Sequence, residues 1–104
     1  MNESVLTEEK SKERKSLTQE ERVKINQMFS DLLREMKKHG LPDVAALRNA
    51  YNFALKVHGD TRRKTGDPYI THPLSVAMIL AEIGHETDII VSAILHDVVE
   101  DCNV

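Results

Sequence analysis

Residues 73–101 read PLSVAMILAEIGHETDIIVSAILHDVVED, and this stretch decides the fold class. Two apolar segments, Leu74–Ala81 and Ile89–Leu95, are separated by Gly84, a residue type that commonly ends a helix. Pro73 suits the first position of a helix. Neither segment has a continuous polar face, which is typical of helices that are buried on all sides. The two helices are predicted over Pro73–Gly84 and from about Thr87 to Glu100.

Two amphipathic helices are predicted upstream of this pair. The first begins at a capping box formed by Thr18 and Glu21 and ends at Gly40, which suits a left-handed backbone. The second begins near Pro42 and ends at Gly59. The apolar stripes recur at steps of three and four residues and comprise Ile25, Met28, Phe29, Leu32 and Met36 in the first helix and Leu47, Tyr51, Ala54 and His58 in the second.

The sequence contains neither a regular strand alternation nor an internal repeat. We therefore predict an all-α protein, a bundle of four helices in a single domain. Residues 1–16 mix charges with few apolar groups and are expected to be disordered or frayed, which leaves residues 17–104 as the folded domain. Residues 59–72 have no helical period and are predicted to form a loop.

The composition excludes several classes of protein. The 104 residues carry a net charge of −3, with 30% charged and 40% hydrophobic residues, as expected of a soluble globular domain. The net negative charge argues against binding to the phosphates of a nucleic acid. No apolar segment reaches the ~18 residues that span a membrane. Cys102 is the single cysteine and has no partner for an internal disulfide, so the sequence favours the reducing cytoplasm.

Ionisable residues gather abruptly at the end of the fourth helix. His96 and Glu100 are four residues apart, as are Asp97 and Asp101, so all four share one side of a helix. Such a group is costly at the end of a buried helix unless it is compensated, and a divalent cation bound by imidazole and carboxylate would compensate it. A solvated final turn is the alternative.

Two further histidines are candidates for the same site. His58 lies on the inward stripe of the second helix, where a core histidine held by hydrogen bonds is favoured over a ligand. His72 precedes Pro73, so its backbone is expected to lie outside the α region, and its ring either caps the helix or reaches a metal.

Residues 50–104 resemble the N-terminal hydrolase region of the RelA/SpoT-type alarmone enzymes, a branch of the HD-domain metal-dependent phosphohydrolases. The resemblance rests on RKTGDPYITHP at Arg63–Pro73, on the helix that follows, and on LHDVVED at Leu95–Asp101. It implies a partial HD-domain fold and manganese-dependent hydrolysis of the guanosine alarmone (p)ppGpp to GDP or GTP and pyrophosphate. The parent protein would be a bifunctional (p)ppGpp synthetase/hydrolase of the GTP pyrophosphokinase family, which acts in the stringent response.

The resemblance also assigns roles to individual residues. The metal ligands it implies are His72, His96 and Asp97. The acidic pair that it places beside the attacking water is Glu100 and Asp101. The residues that it places against the guanine nucleotide are Arg63, Lys64 and Thr65.

The family's fourth metal ligand, an aspartate, would lie beyond Val104. The chain is therefore expected to be the front piece of a longer protein, inactive by itself and prone to self-association through apolar faces that further helices would cover. The alternatives are a fragment of a stand-alone small alarmone hydrolase or of another HD phosphohydrolase, and a catalytically inert helical interaction module.

Overall fold

The structure is a computed structural model that describes the backbone of residues 13–102 and the side chains of residues 15–96. The described chain forms four helices, which are α1 (Gln19–Lys38), α2 (Val44–His58), α3 (Thr71–Glu82) and α4 (Thr87–Cys102). It also forms two strands of two residues each, β1 (Glu13–Arg14) and β2 (Thr61–Arg62), which pair antiparallel. The all-α prediction is confirmed. Strands of two residues are too short for the alternation by which a sequence predicts a strand.

Helix α1 begins and ends where its local sequence predicts. The Thr18 hydroxyl accepts the Glu21 N–H at 3.1 Å, and the Glu21 carboxylate accepts the Thr18 N–H at 2.9 Å, which completes the capping box. Gly40 follows the helix with φ +68°. The Leu41 N–H donates to the Met36 carbonyl at 3.0 Å, a bond that satisfies a carbonyl in the last turn.

Helix α2 begins at Val44, two residues after the Pro42 near which its start is predicted, so Pro42 is not its first residue. Asp43 adopts a left-handed backbone with φ +69°, which an aspartate tolerates and which separates Pro42 from the helix. The turn is held from a distant element, because the Thr87 hydroxyl donates to the Pro42 carbonyl at 2.7 Å. Because Thr87 and Pro42 are 45 residues apart, the sequence around Pro42 does not predict this contact.

Helix α3 begins two residues earlier than Pro73. His72 is helical and its N–H donates to the Tyr69 carbonyl at 3.0 Å, so the prediction that Pro73 keeps the backbone of His72 out of the α region is wrong. Pro73 is the third residue of the helix. The N–H groups of a first turn have no acceptor within the helix, so a proline there costs no hydrogen bond.

The four helices share one apolar core. Helix α3 packs against α1 and α4, and α4 also packs against α2. The predicted inward residues of α1 and α2 are buried, apart from Met28, which is partly buried. Phe29 and Tyr51 stack with ring centroids 3.9 Å apart, which joins α1 to α2. The described side chains that are almost completely buried are Ile25, Leu32, Met36, Leu47, Ile70, Leu74, Ile90 and Ile94.

Helices α3 and α4 are not buried on all sides, which corrects the prediction made from their apolar sequences. Ile79 and Ile83 are 58% and 67% exposed, and Val76 and Ile89 are also exposed. Helix α3 buries Leu74, Ala77 and Ala81 against its neighbours, so the residues between these positions face outward. A helix can be apolar on all sides and still have neighbours on only some of them, so its apolar sequence alone does not predict how much of it is buried.

The last residues of the segment predicted to be frayed are held in place. Residues 1–12 lie outside the described residues, so for them disorder stays a prediction. In contrast, Glu13–Arg14 pair with β2, and the Lys15 N–H donates to the Asp60 carbonyl at 2.6 Å. None of the helices in the described part of the chain is long and apolar enough to cross a membrane.

Candidate metal centre and substrate loop

Helices α3 and α4 form a hairpin that carries the predicted metal ligands. Four residues, Ile83–Glu86, connect them, and Gly84 has φ +82°. The His85 N–H donates to the Leu80 carbonyl at 3.0 Å, which closes the end of α3. So short a connection makes two packed helices run antiparallel. The beginning of α3 therefore lies beside the end of α4.

His72 and His96 lie at the same end of this hairpin. At a rise of 1.5 Å per residue, His72 is about 15 Å before the end of α3 and His96 about 14 Å after the start of α4. Both side chains are exposed. His96 also borders a surface depression lined by Val91, Ser92, Ala93 and Leu95. The two imidazoles predicted from sequence as ligands are thus accessible.

The remaining predicted ligand and the acidic pair follow on the same helix. The backbone of α4 continues through Cys102, so Asp97, Glu100 and Asp101 occupy helical positions, as the sequence predicts. Their side chains lie outside the described residues. Among the side chains that are described, no three potential metal ligands come together. The proposed set contains Asp97, so its assembly stays a prediction.

His58 is a core histidine and not an accessible ligand. Its side chain is buried, and its Nδ1 lies 3.3 Å from the Thr61 hydroxyl oxygen. The ring of Tyr69 is a neighbour of both histidines, with its centroid 4.9 Å from that of His58 and 6.3 Å from that of His72. The alternative in which His72 caps α3 is wrong: the cap residue is Ile70, and in this described part of the chain no side-chain hydrogen bond caps the helix.

The predicted substrate residues lie on a closed turn between β2 and α3. The Arg63 N–H donates to the Asp67 carbonyl and the Gly66 N–H donates to the Arg63 carbonyl, both at 2.8 Å. Gly66 has φ +94°, a conformation that favours glycine. Arg63, Lys64 and Thr65 are all exposed. Gly66, the last residue of the turn, is three residues before Tyr69 and five residues before Thr71, where α3 begins, so the turn lies near the beginning of that helix.

Arg62 is the residue of this region that sequence reasoning missed. In the sequence it belongs to a basic triplet with Arg63 and Lys64, which is typical of a solvated loop. Its side chain is only 5% exposed, and it forms a bidentate ion pair with Glu21 at 2.6 and 2.8 Å. No local signal identifies a partner 41 residues away.

The chemistry of the donor set suits a first-row divalent cation. Two imidazoles and an adjacent aspartate are ligands of manganese, iron or zinc, and the set contains no sulfur. Both imidazoles, of His72 and His96, are exposed to solvent. The set is open, since three protein ligands leave positions for water or substrate. His72, His96 and Asp97 therefore fit such a metal by their chemistry.

The part of the sequence that carries these residues matches a known family. The sequence profile described as "HD domain" matches residues 50–104, which is more than half of the chain. The chain belongs to the HD domain family. The matched region includes the predicted substrate turn, His72, His96 and all of α3 and α4. Hydrolases of the HD domain family generally depend on a metal ion.

Several curated relatives are similar to this HD domain chain. It is 45% identical over 69 residues to a guanosine-3′,5′-bis(diphosphate) 3′-pyrophosphohydrolase from Aquifex aeolicus, a match covering 66% of this chain and 10% of the relative. It is 54% identical over 59 residues to the bifunctional (p)ppGpp synthase/hydrolase RelA of Mycobacterium tuberculosis, covering 57% and 8%. A 3′-pyrophosphohydrolase from Vibrio cholerae is 46% identical over 63 residues, covering 61% and 9%. The chain thus spans about a tenth of the length of the curated relatives it matches.

Proposed function

We propose that this HD domain chain is the front piece of a cytoplasmic enzyme that hydrolyses (p)ppGpp to GDP or GTP and pyrophosphate. The parent protein would be a bifunctional (p)ppGpp synthetase/hydrolase of the GTP pyrophosphokinase family. The observation that carries the proposal is the placement of the Arg63–Gly66 turn with four residues between it and α3, whose His72 lies at the same end of the hairpin as His96. The names of the relatives supply the substrate class.

The proposed roles divide between the two ends of the substrate. Arg63, Lys64 and Thr65 offer exposed cationic and hydroxyl groups, which suit the guanine base and the phosphates of a nucleotide. His72, His96 and Asp97 would hold Mn²⁺. The bound metal would supply Lewis acidity toward the 3′-phosphoryl oxygen and make an attacking hydroxide available near neutral pH.

The acidic pair would act on the water that attacks the 3′-pyrophosphate. Glu100 and Asp101 follow His96 and Asp97 by one helical turn, so they can reach the same volume without replacing a ligand. A carboxylate there accepts the proton of the water and orients its attack on phosphorus. The water oxygen would bond to the phosphorus attached to the 3′-oxygen as the bond between that phosphorus and the 3′-oxygen breaks. Pyrophosphate would then leave with the water oxygen, and the 3′-oxygen would take a proton to become the 3′-hydroxyl of GDP or GTP.

Manganese titration of the longer protein that carries this chain tests the proposal. His72→Ala, His96→Ala and Asp97→Ala should each weaken Mn²⁺ binding, measured by calorimetry, by at least ~10-fold, because each removes a direct ligand. His85→Ala is the matched control, since His85 is an exposed histidine on the connection between the same two helices. Its affinity should equal that of the wild type.

Two results would refute the assignment. One is wild-type manganese affinity after His96→Ala and Asp97→Ala. The other is the absence of both metal binding and alarmone hydrolysis in the longer protein, which would favour the inert interaction module.

A further inference from the structure

Arg62 uses its complete set of hydrogen-bond donors inside the protein. A guanidinium has five N–H groups. Nε donates to the Lys15 carbonyl at 3.2 Å. Nη1 donates to the Glu21 carboxylate at 2.6 Å and to the Gly66 carbonyl at 3.1 Å, and Nη2 donates to the Ser16 carbonyl at 2.7 Å and to Glu21 at 2.8 Å. A buried arginine so fully satisfied occupies a single position.

These partners come from two parts of the chain, which the pairing of β1 with β2 and the bond from the Lys15 N–H to the Asp60 carbonyl also join. Lys15, Ser16 and Glu21 belong to the segment that leads into α1 and to its first turn. Gly66 belongs to the proposed substrate turn. Glu21 is itself fixed by the capping box with Thr18. Through Arg62, the start of α1 is therefore connected to the substrate turn.

Arg62 holds the base of the turn by its backbone as well as by its side chain. It pairs with Glu13 on one side and forms a bridge with Pro68 on the other. The next residue, Arg63, begins the turn, and the carbonyl of Gly66 near its end accepts from the Arg62 side chain. Both ends of the turn thus depend on one residue, while the side chains at its tip face solvent.

We propose that Arg62, with Glu21 as its counter-ion, is a positioning residue that presents Arg63 and Lys64 to the nucleotide. This inference rests on the proposed function of the turn. Arg62 is buried and does not touch substrate, so its effect passes through the turn. Loss of the ion pair would let the turn adopt other conformations. Nucleotide binding would then have to order the turn again, and the free-energy cost of this ordering would weaken the affinity for the nucleotide.

The test measures steady-state hydrolysis of ppGpp by the longer protein with Arg62→Met, Arg62→Lys and Glu21→Gln. We expect Arg62→Met to raise KM about tenfold while kcat stays within about twofold, because misplacement of a binding group is costly even when the chemistry is intact. Arg62→Lys keeps the positive charge but loses the planar guanidinium that binds a carboxylate through two nitrogens, so its KM should lie between those of the wild type and Arg62→Met. Arg34→Met, which alters an exposed arginine of α1, is the matched control and should change nothing.

Hydrogen–deuterium exchange of the peptide that spans residues 61–70 gives a second readout that needs no substrate. Exchange should accelerate in Arg62→Met and Glu21→Gln and stay at the wild-type rate in Arg34→Met. The side chain of Glu21→Gln has nearly the same volume as that of the wild type, so this variant replaces Arg62→Met in the experiment if Arg62→Met does not fold. Wild-type exchange in that peptide, or a lowered melting temperature with an unchanged KM, would overturn the positioning role.

Arg63→Ala separates this inference from the proposed function. If Arg63→Ala leaves KM unchanged, the turn does not bind the nucleotide and the proposed function of the turn fails. If Arg63→Ala raises KM and Arg62→Met does not, the turn binds the nucleotide and the positioning role of Arg62 fails.

Discussion

Glu21 accepts hydrogen bonds from both terminal nitrogens of Arg62, at 2.6 and 2.8 Å, although the two residues are 41 positions apart. The same carboxylate accepts the N–H of Thr18 and so completes the cap of α1. One side chain therefore serves a local structure and a long-range contact. The hydrogen bonds from Arg62 and then from the Thr18 N–H lower the pKa of Glu21 from 4.5 to about 2.

This lowered pKa predicts a particular dependence of stability on acid. A carboxylate with a depressed pKa in the folded state stabilises the protein above its unfolded pKa of 4.5, and that contribution is lost as the pH falls toward about 2. Glu21→Gln should therefore unfold at lower urea concentration than the wild type at pH 6, with a difference that narrows between pH 5 and pH 2. Urea titrations followed by circular dichroism measure this difference.

Asp31→Asn is the control for the acid experiment. Asp31 also pairs with an arginine, Arg34, but both side chains are exposed at 39% and 71%. An exposed pair contributes little to stability, so this variant should follow the wild type at every pH. A gap between Glu21→Gln and wild type that stays constant from pH 6 to pH 2 would contradict the ionic role of Glu21.

Glu100→Gln is expected to separate chemistry from metal binding. The amide keeps the shape of the side chain but cannot accept the proton of the attacking water. In the longer protein kcat should fall ~10²–10⁴-fold, the usual contribution of a general base, while the manganese content measured by elemental analysis stays unchanged. Asp88→Asn, at the opposite end of α4, should leave both quantities at wild-type values. Loss of the metal, or a kcat within a few-fold of wild type, would favour a structural role for Glu100.

The 104-residue chain by itself should hydrolyse ppGpp slowly or not at all. Three of the expected ligands, His72, His96 and Asp97, are present, and a fourth is proposed to come from the rest of the longer protein. An incomplete set of ligands neither fixes the metal nor activates water well, so turnover should fall roughly 100-fold or more. Release of pyrophosphate at matched enzyme and Mn²⁺ concentrations is the measurement. Equal rates for the chain and the longer protein would show that no essential residue lies beyond Val104.

The outward apolar stripe of α3 predicts self-association of the chain. Val76 and Ile79 of α3 and Ile83, the residue directly after the helix, are exposed and spaced by three and four residues, so they form one stripe. Sedimentation velocity should show a concentration-dependent dimer. Ile79→Glu and Ile83→Glu should each weaken the dimer about tenfold or more, because burying an isoleucine contributes ~1.5–3 kcal/mol.

Val23→Glu is the control for the association experiment. Val23 is a 59% exposed apolar residue on a different helix, α1. The variant should sediment like the wild type. A wild-type chain that stays monomeric at all concentrations, or an equal effect of Val23→Glu, would exclude the stripe as the contact.

Sequence reasoning succeeded where the determinant is local. The capping box of Thr18 and Glu21 and the glycine at residue 40 fix the two ends of α1 through groups a few residues apart. The inward positions of α2 follow from helical periodicity, which places Leu47 and Ala54 on the same face. These features depend on backbone geometry that any chain with this local sequence adopts.

Sequence reasoning failed where the determinant is a distant contact. The start of α2 depends on Asp43 and on the bond that Thr87 makes to the neighbouring carbonyl. The burial of Arg62 depends on Glu21, and the exposure of Ile79 depends on which faces of α3 find a neighbour. For the site, periodicity predicted the helical positions of the ionisable residues. The family resemblance supplied their roles.

The pairing of β1 with β2 bears on how this protein can be shortened or tagged. Residues before α1 would ordinarily be removed as dispensable, yet Glu13 pairs with Arg62, and the carbonyls of Lys15 and Ser16 accept from its guanidinium. A deletion that starts the chain at Leu17 would remove two hydrogen-bond acceptors of a buried guanidinium, the carbonyls of Lys15 and Ser16, together with the strand that pairs with the Arg62 backbone. A purification tag is best attached upstream of Glu13 with a flexible spacer, and truncations intended to be harmless should stop short of that strand.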